Sequence, residues 1–391
     1  MLSKFLTFRD KTNTNISLII HGQGVFIFSS GKVCSFNIYN KDKSTGLNIE
    51  FNENSIILKE LNNKILFESE NLITSNVTGA FYWISLDSQN FLFKAGIGEA
   101  RTETVLSTYQ FTKNYKMFLE NLETIVITDD VTPIRLLRDP ITQKVPLLIK
   151  DTHSLTMEKI AKSNVLPKSN LSLIGQKLHD CISGKKFILD DNSFPDFSKA
   201  IERSIVTPGL WCNKRLLEKA NEFGKENVNE TYLRITLGQN NGESPGIPYV
   251  MEIWPPGHYS PIHNHGGASA IIKVLHGSIN VKLFPFLSSE ISEFAIADFH
   301  KNDITWISPT LNQVHQLHNI GEKTCVTIQC YMYENDDTTH YDYFDYIDDD
   351  THKIEQFEPD SDMDFLSFKK LMKEEWAARP TFLKSLFYWD N

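Results

Sequence analysis

From about Gly22 to Thr112 the chain is a succession of short β-rich runs, "GVFIFSS", "KVCSFNIYN", "SIILKEL", "KILFES", "GAFYWISLD" and "NFLFKAGIG", broken by turn residues. Such a pattern specifies antiparallel strands in a sandwich or open barrel. Asp87-Ser88-Gln89-Asn90 reads as a hairpin turn between two of them. A β-poor region follows, in which "TMEKIAKSN", "LIGQKLHDCI", "FPDFSKAIERSI" and "NKRLLEKANEFG" set apolar residues three or four apart, as helices do. From Tyr232 the strand pattern resumes, and "DFLSFKKLMKEEW" near the end reads as one amphipathic helix. With 391 residues the chain exceeds the usual size of a single core. Two domains are therefore expected, a β-sandwich over 1–140 and a second domain over 141–391, with the change near Pro140 to Pro146. The expected class is mainly β: an antiparallel β-sandwich followed by short helices, a small β-barrel and a C-terminal helix.

A formal net charge of -10 without any clustered Lys or Arg argues against nucleic acid as a partner. The opening "MLSKFLTFRDKTNTN" carries a charge every few residues, unlike a signal peptide, and no segment approaches the ~18 apolar residues of a membrane span. Five cysteines, odd in number and never in a CxxC, fit reduced thiols. A soluble, cytoplasmic protein is the expectation. The acidic, tyrosine-rich stretch 333–364 lacks the spacing of a calcium loop and reads as a solvated loop.

Chemistry concentrates in "PGHYSPIHNHGG", residues 256–267. Seven of the twelve histidines lie between His258 and His318. In extended chain, residues i and i+2 face the same way, so His263 and His265 present both rings to a common point while Asn264 turns away. Two converging imidazoles are a natural pair of metal ligands. His258, His276, His300 and His318 read instead as loop, surface or outer residues. The framing of the pair is that of the first cupin motif. Gly257, five residues, His263-X-His265, four residues, position 270, six residues and Gly277 match it throughout, except that Ala270 stands where the motif has glutamate. Downstream, His315 with Asn319 supplies the core of the second cupin motif. Three neutral nitrogens and no carboxylate result, a set that by itself fixes no particular metal.

Through "YLRI" at Tyr232 to Ile235, "WPPGHYSPIHNH", "IIKVLHGSINVKLF" and "VHQLHN", residues 140–365 resemble the type I cysteine dioxygenase family of cupins. The resemblance implies Fe(II) held by His263, His265 and His315. It implies Arg234 as the partner of a substrate carboxylate, Tyr232 as a pocket tyrosine, and Tyr331 as the tyrosine that hydrogen-bonds beside the metal. Two positions depart from the family. Ala270 replaces the cysteine that animal members crosslink to that tyrosine, and Gln329 replaces a histidine, so no imidazole is there to take a proton. The implied activity is dioxygenation of cysteine to cysteine sulfinic acid, with a small thiol and O2 as partners. The alternatives are another small thiol, 3-mercaptopropionate or cysteamine, and a metal-binding cupin without catalysis. "FYWISLDSQNFLFKAGIGEARTETV" is similar to a small β domain of farnesoic acid O-methyltransferase-like proteins, and implies a binding or packing module. Its "GIGEAR" imitates a dinucleotide-binding glycine motif, but no helix follows it in the sequence.

Overall fold

The computed structural model describes residues 5–8, 15–29, 34–52, 55–70, 81–127, 134–237, 249–333 and 343–380. The protein is mainly β, with its strands in several antiparallel sheets. Its contacts divide it into two units, residues 1–176 with 282–296 and 307–315, and residues 177–281 with 297–306 and 316–391. The first unit runs through the Pro140 to Pro146 stretch.

That unit contains two six-stranded sheets. One runs in the order Phe5–Phe8, Ile134–Leu137, Gln23–Ser29, Phe81–Asp87, Leu92–Ile97, Val105–Gln110, and the other Asn15–Ser17, Leu122–Ile127, Cys34–Asn40, Gly46–Phe51, Ser55–Glu60, Ile65–Glu70. Every neighbouring pair is antiparallel. Their inner faces share one core, in which Phe26 meets Phe36 at 5.2 Å between ring centroids and Phe28 meets Phe51 at 5.1 Å. This is the sandwich the β-rich runs specify, and strand Cys34–Asn40 alternates buried and half-buried residues as its pattern requires. The hairpin turn forms at Asp87 because its carboxylate accepts from the backbone of Gln89 and Asn90, at 3.1 and 3.0 Å. After Leu92–Ile97 the "GIGEAR" segment leads into a short 3-10 turn, Thr102–Thr104, and another strand, so no βαβ unit forms. Gly98, at φ +78, is there because a Cβ would meet the Pro285 carbonyl oxygen at 2.1 Å.

Helices Leu173–Ile182, Phe197–Val206 and Trp211–Glu218 form where the apolar spacing places them, as does the C-terminal helix α1, Phe365–Ala377. Asp364 caps α1 by accepting from the Ser367 amide at 3.0 Å, and Phe368 packs edge-on against Trp211 at 5.4 Å. The strands that follow the helical region include β1 (Leu233–Leu237), β2 (Tyr249–Trp254), β3 (Ser269–His276), β4 (Ser278–Phe284), β5 (Ala295–His300), β6 (Ile304–Ile307), β7 (Val314–His318) and β8 (Cys325–Met332). One sheet runs β6-β3-β8-β2-β1 with Met363–Asp364 beside β1, and the other β5-β4-β7. These are the strands that the second β-rich stretch of the sequence specifies. Their register lays Arg234 of β1 opposite Glu252 of β2, Glu252 opposite Thr327 of β8, and Thr327 opposite Val274 of β3. Residues directly opposite across strands share a face, so that row and the neighbouring row of Gln329 and Ile272 point the same way.

The acidic stretch 333–364 departs from its expected form as a loop. Residues 334–342 lie outside the described part, but Phe344–Ile347 and Ile354–Phe357 pair as an antiparallel hairpin. The acidic residues dominate the composition, whereas the alternating aromatics of "YFDYI" carry the strand period.

Candidate metal centre

His263 sits in extended chain that bridges to Tyr346, not inside a regular strand. The i, i+2 parity still holds, because Asn264 turns outward: its amide donates to the Asp345 carbonyl at 3.0 Å and its side chain to the Asp345 carboxylate at 3.1 Å. The third histidine, His315, lies on β7. One ligand-capable nitrogen from each of His263, His265 and His315 lies within 4.8 Å of the others, and all three side chains are buried. Among the described residues this is the group of metal-ligating side chains that converges.

Two of the rings are held by carbonyls. His263 Nδ1 donates to Pro261 O at 3.0 Å, and His315 Nδ1 donates to Asn312 O at 3.1 Å. A proton committed at Nδ1 leaves Nε2 with its lone pair, the form in which imidazole binds a metal. Burial, reinforced by the nearby Arg234 charge, pushes His263 down to about 4, so it is neutral at pH 7. The donor set therefore fits a divalent transition metal. Among the described residues no carboxylate joins this group, and position 270 is alanine.

Around these rings stand aromatic side chains. Tyr331 lies parallel to His265 at 5.7 Å between centroids, and Phe344 approaches the same ring at 4.8 Å. Phe357 meets His263 edge-on at 6.4 Å. Phe344 and Phe357, both from the hairpin read as a loop, shield the imidazoles from water.

The remaining sequence-derived residues lie on the strands beside them. Tyr232 is buried, stacked on Trp254 at 4.2 Å. Burial first, and then the Glu252 charge, raises both the Tyr232 and the Tyr331 hydroxyl well above the ordinary tyrosine value. Both phenols thus keep their protons at any physiological pH. Arg234 donates through Nη1 to Pro359 O at 2.7 Å, and its backbone is clamped by the Asp362 carboxylate at 2.6 Å. Asp362 is itself gripped by Arg215 at 2.8 Å and Lys219 at 3.3 Å, which ties β1 to the helical region.

Glu252 is the residue that sequence reasoning missed. Its carboxyl is buried, and burial pushes it up to about 7 despite the opposing Arg234 charge. Gln329 Nε2 donates to it, while Gln329 Oε1 accepts from the Tyr331 hydroxyl. The amide thus links a phenol beside His265 to a titratable carboxyl. The available signal was a lone glutamate in the apolar strand "YVMEIW", because a charged residue in a buried strand requires a partner. Of the other histidines, His258 is buried and its Nδ1 lies 2.9 Å from Thr231 O, His276 contacts Glu202 at 3.2 Å, and His318 packs on Tyr259.

No protein-family model matches the chain. Several solved structures are similar to parts of it. The cupin domain of Schizosaccharomyces pombe Cnp3 is 14% identical, over 26% of this chain and 65% of that one, with a TM-score of 0.22. An oxalate oxidase is 20% identical, over 22% of this chain and 41% of that one, at 0.19. A cupin 2 conserved barrel domain protein from Salinispora arenicola is 15% identical, over 27% and 78%, at 0.21. The chain spans less than two thirds of the length of the first two. Likenesses of this size assign no activity. No helix among the described residues is long and apolar enough to cross a membrane.

Proposed function

We propose that the protein is an Fe(II)-dependent dioxygenase of a small thiol, with cysteine as the preferred substrate and cysteine sulfinic acid as the product. The observation that carries this reading is the meeting of three buried histidines, with no carboxylate in the group among the described residues, beside Tyr331. When bound, an Fe(II) ion would supply the Lewis acidity that converts a thiol to a thiolate at neutral pH and a place where thiol and O2 come together.

The chain's own residues supply the rest. Arg234 takes the substrate carboxylate with its planar guanidinium, a role for which lysine has the wrong geometry. Tyr331 keeps its proton and donates it to Gln329, so its hydroxyl oxygen presents lone pairs, as a hydrogen-bond acceptor, beside the metal ligands. Gln329 cannot exchange a proton as a histidine would. Glu252 accepts from the Gln329 amide nitrogen and so orients the amide oxygen that accepts from the Tyr331 hydroxyl. Glu252 opposite Arg234 also favours a thiol that carries an amine beside its carboxylate, which 3-mercaptopropionate lacks. Cysteamine lacks the carboxylate that Arg234 would hold.

The test is oxygen uptake by iron-loaded protein with cysteine, 3-mercaptopropionate and cysteamine, with the sulfinic acid product identified by mass. Arg234→Ala is expected to raise KM for cysteine by about 100-fold, the scale of a lost charge-assisted pair. Iron-loaded protein that consumes no oxygen with any thiol leaves the metal-binding cupin without catalysis as the answer.

A further inference from the structure

Arg101 and Glu99, from the "GIGEAR" segment of the β-sandwich, form a buried ion pair at 3.2 Å. The Arg101 side chain is 1% exposed. Besides Glu99, Arg101 donates through Nη1 to the Asn312 carboxamide oxygen at 2.9 Å, through Nε to Glu103 at 3.3 Å and through Nη2 to Val145 O at 3.2 Å. Glu99 Oε1 accepts from the Gln313 amide at 2.8 Å. Asn312 and Gln313 share one peptide group, and the carbonyl of that same group accepts from His315 Nδ1 at 3.1 Å. All of these residues belong to the first unit.

The planarity of the peptide bond makes this arrangement specific. In a trans peptide the N–H and C=O point in opposite directions, so a carboxylate that fixes the Gln313 N–H also fixes the direction of the Asn312 carbonyl. That carbonyl sets which nitrogen of His315 carries the proton, and hence which one is free to bind a metal. Asn312 adds a left-handed backbone, φ +62, which Arg101 holds by its side chain.

We propose that Glu99 and Arg101 are positioning residues for His315, so that the β-sandwich builds part of the metal centre through the Asn312–Gln313 peptide. The inference rests on the metal reading above. It gives the "GIGEAR" sequence a role that has nothing to do with nucleotides.

The full-length protein, stripped of metal, is titrated with cobalt(II) against a competing chelator, and the visible absorption of the bound cobalt is recorded. Glu99→Ala and Asn312→Gly are compared with Glu99→Gln, which keeps an acceptor at the same length. Glycine accepts the positive φ at 312, so Asn312→Gly deletes the carboxamide without straining the backbone. Both disruptive variants are expected to bind cobalt about 10- to 100-fold more weakly with an altered absorption spectrum, and Glu99→Gln is expected to recover most of the affinity. Near-UV circular dichroism reports whether each variant is folded; if Glu99→Ala is not, Asn312→Gly decides. Wild-type affinity and spectrum in a folded Asn312→Gly overturn the inference alone. A wild-type protein that binds no cobalt, or binds it equally well after His263→Ala, overturns the metal reading and this inference with it.

Discussion

Glu252 and His263 respond to pH in opposite senses. In the metal-free protein burial holds His263 at about 4, against 6.5 for an ordinary histidine. Between those values the unfolded chain binds the extra proton, so His263 adds stability as pH rises. Glu252, ordinarily at 4.5, is raised to about 7. Between those values the folded protein binds the extra proton, so Glu252 removes stability as pH rises. Each effect is worth on the order of 3 kcal/mol, and the two oppose one another from pH 4.5 to 6.5. Relative to the wild type, metal-free Glu252→Gln is expected to gain stability with rising pH across that window, and His263→Gln to lose it. Urea denaturation at a series of pH values in EDTA measures both, and three parallel pH profiles would contradict the assignment. The two residues also differ in legibility. His263 announces itself through the glycine-framed His-X-His spacing, whereas the role of Glu252 depends on which strands lie on either side of it, and spacing along the chain does not carry that.

At the level of elements, Gly277 joins β3 to β4 at φ +70, and a Cβ there would meet the Thr324 carbonyl oxygen at 2.5 Å. Gly277→Ala therefore combines a disfavoured backbone with a clash, and is expected to lower stability by about 1–3 kcal/mol. A shift of the urea midpoint to lower concentration at unchanged slope checks it; an unmoved midpoint would show that the turn relaxes without cost. The glycine was legible as the closing residue of the cupin spacing, and the helices and sandwich strands were legible from their periods of 3.6 and 2. The hairpin over Phe344–Ile347 and Ile354–Phe357 was not. Its many aspartates and glutamates are what a solvated loop also contains, and only its pairing shows that the aromatics between them face the histidines.

For the whole molecule, a metal that binds the folded chain and not the unfolded one must raise its melting temperature. At a free metal concentration of about 100 times Kd the stabilisation is roughly 2.7 kcal/mol. Thermal unfolding with Fe(II) or cobalt(II), then with EDTA, is expected to show a reversible upward shift that His315→Ala abolishes. A melting temperature indifferent to metal in the wild type would remove the metal centre from the protein. The sequence by itself determined the mainly β class, the sandwich and the histidine clamp, because hydrophobic period and ligand spacing are local properties of the chain. Only the tertiary structure decided that Glu252 stands beside Arg234, that Gln329 bridges Glu252 to Tyr331, and that Glu99 and Arg101 reach Asn312 and Gln313. Those contacts join residues up to 214 positions apart, and what selects them is strand register and the need of buried charges for partners.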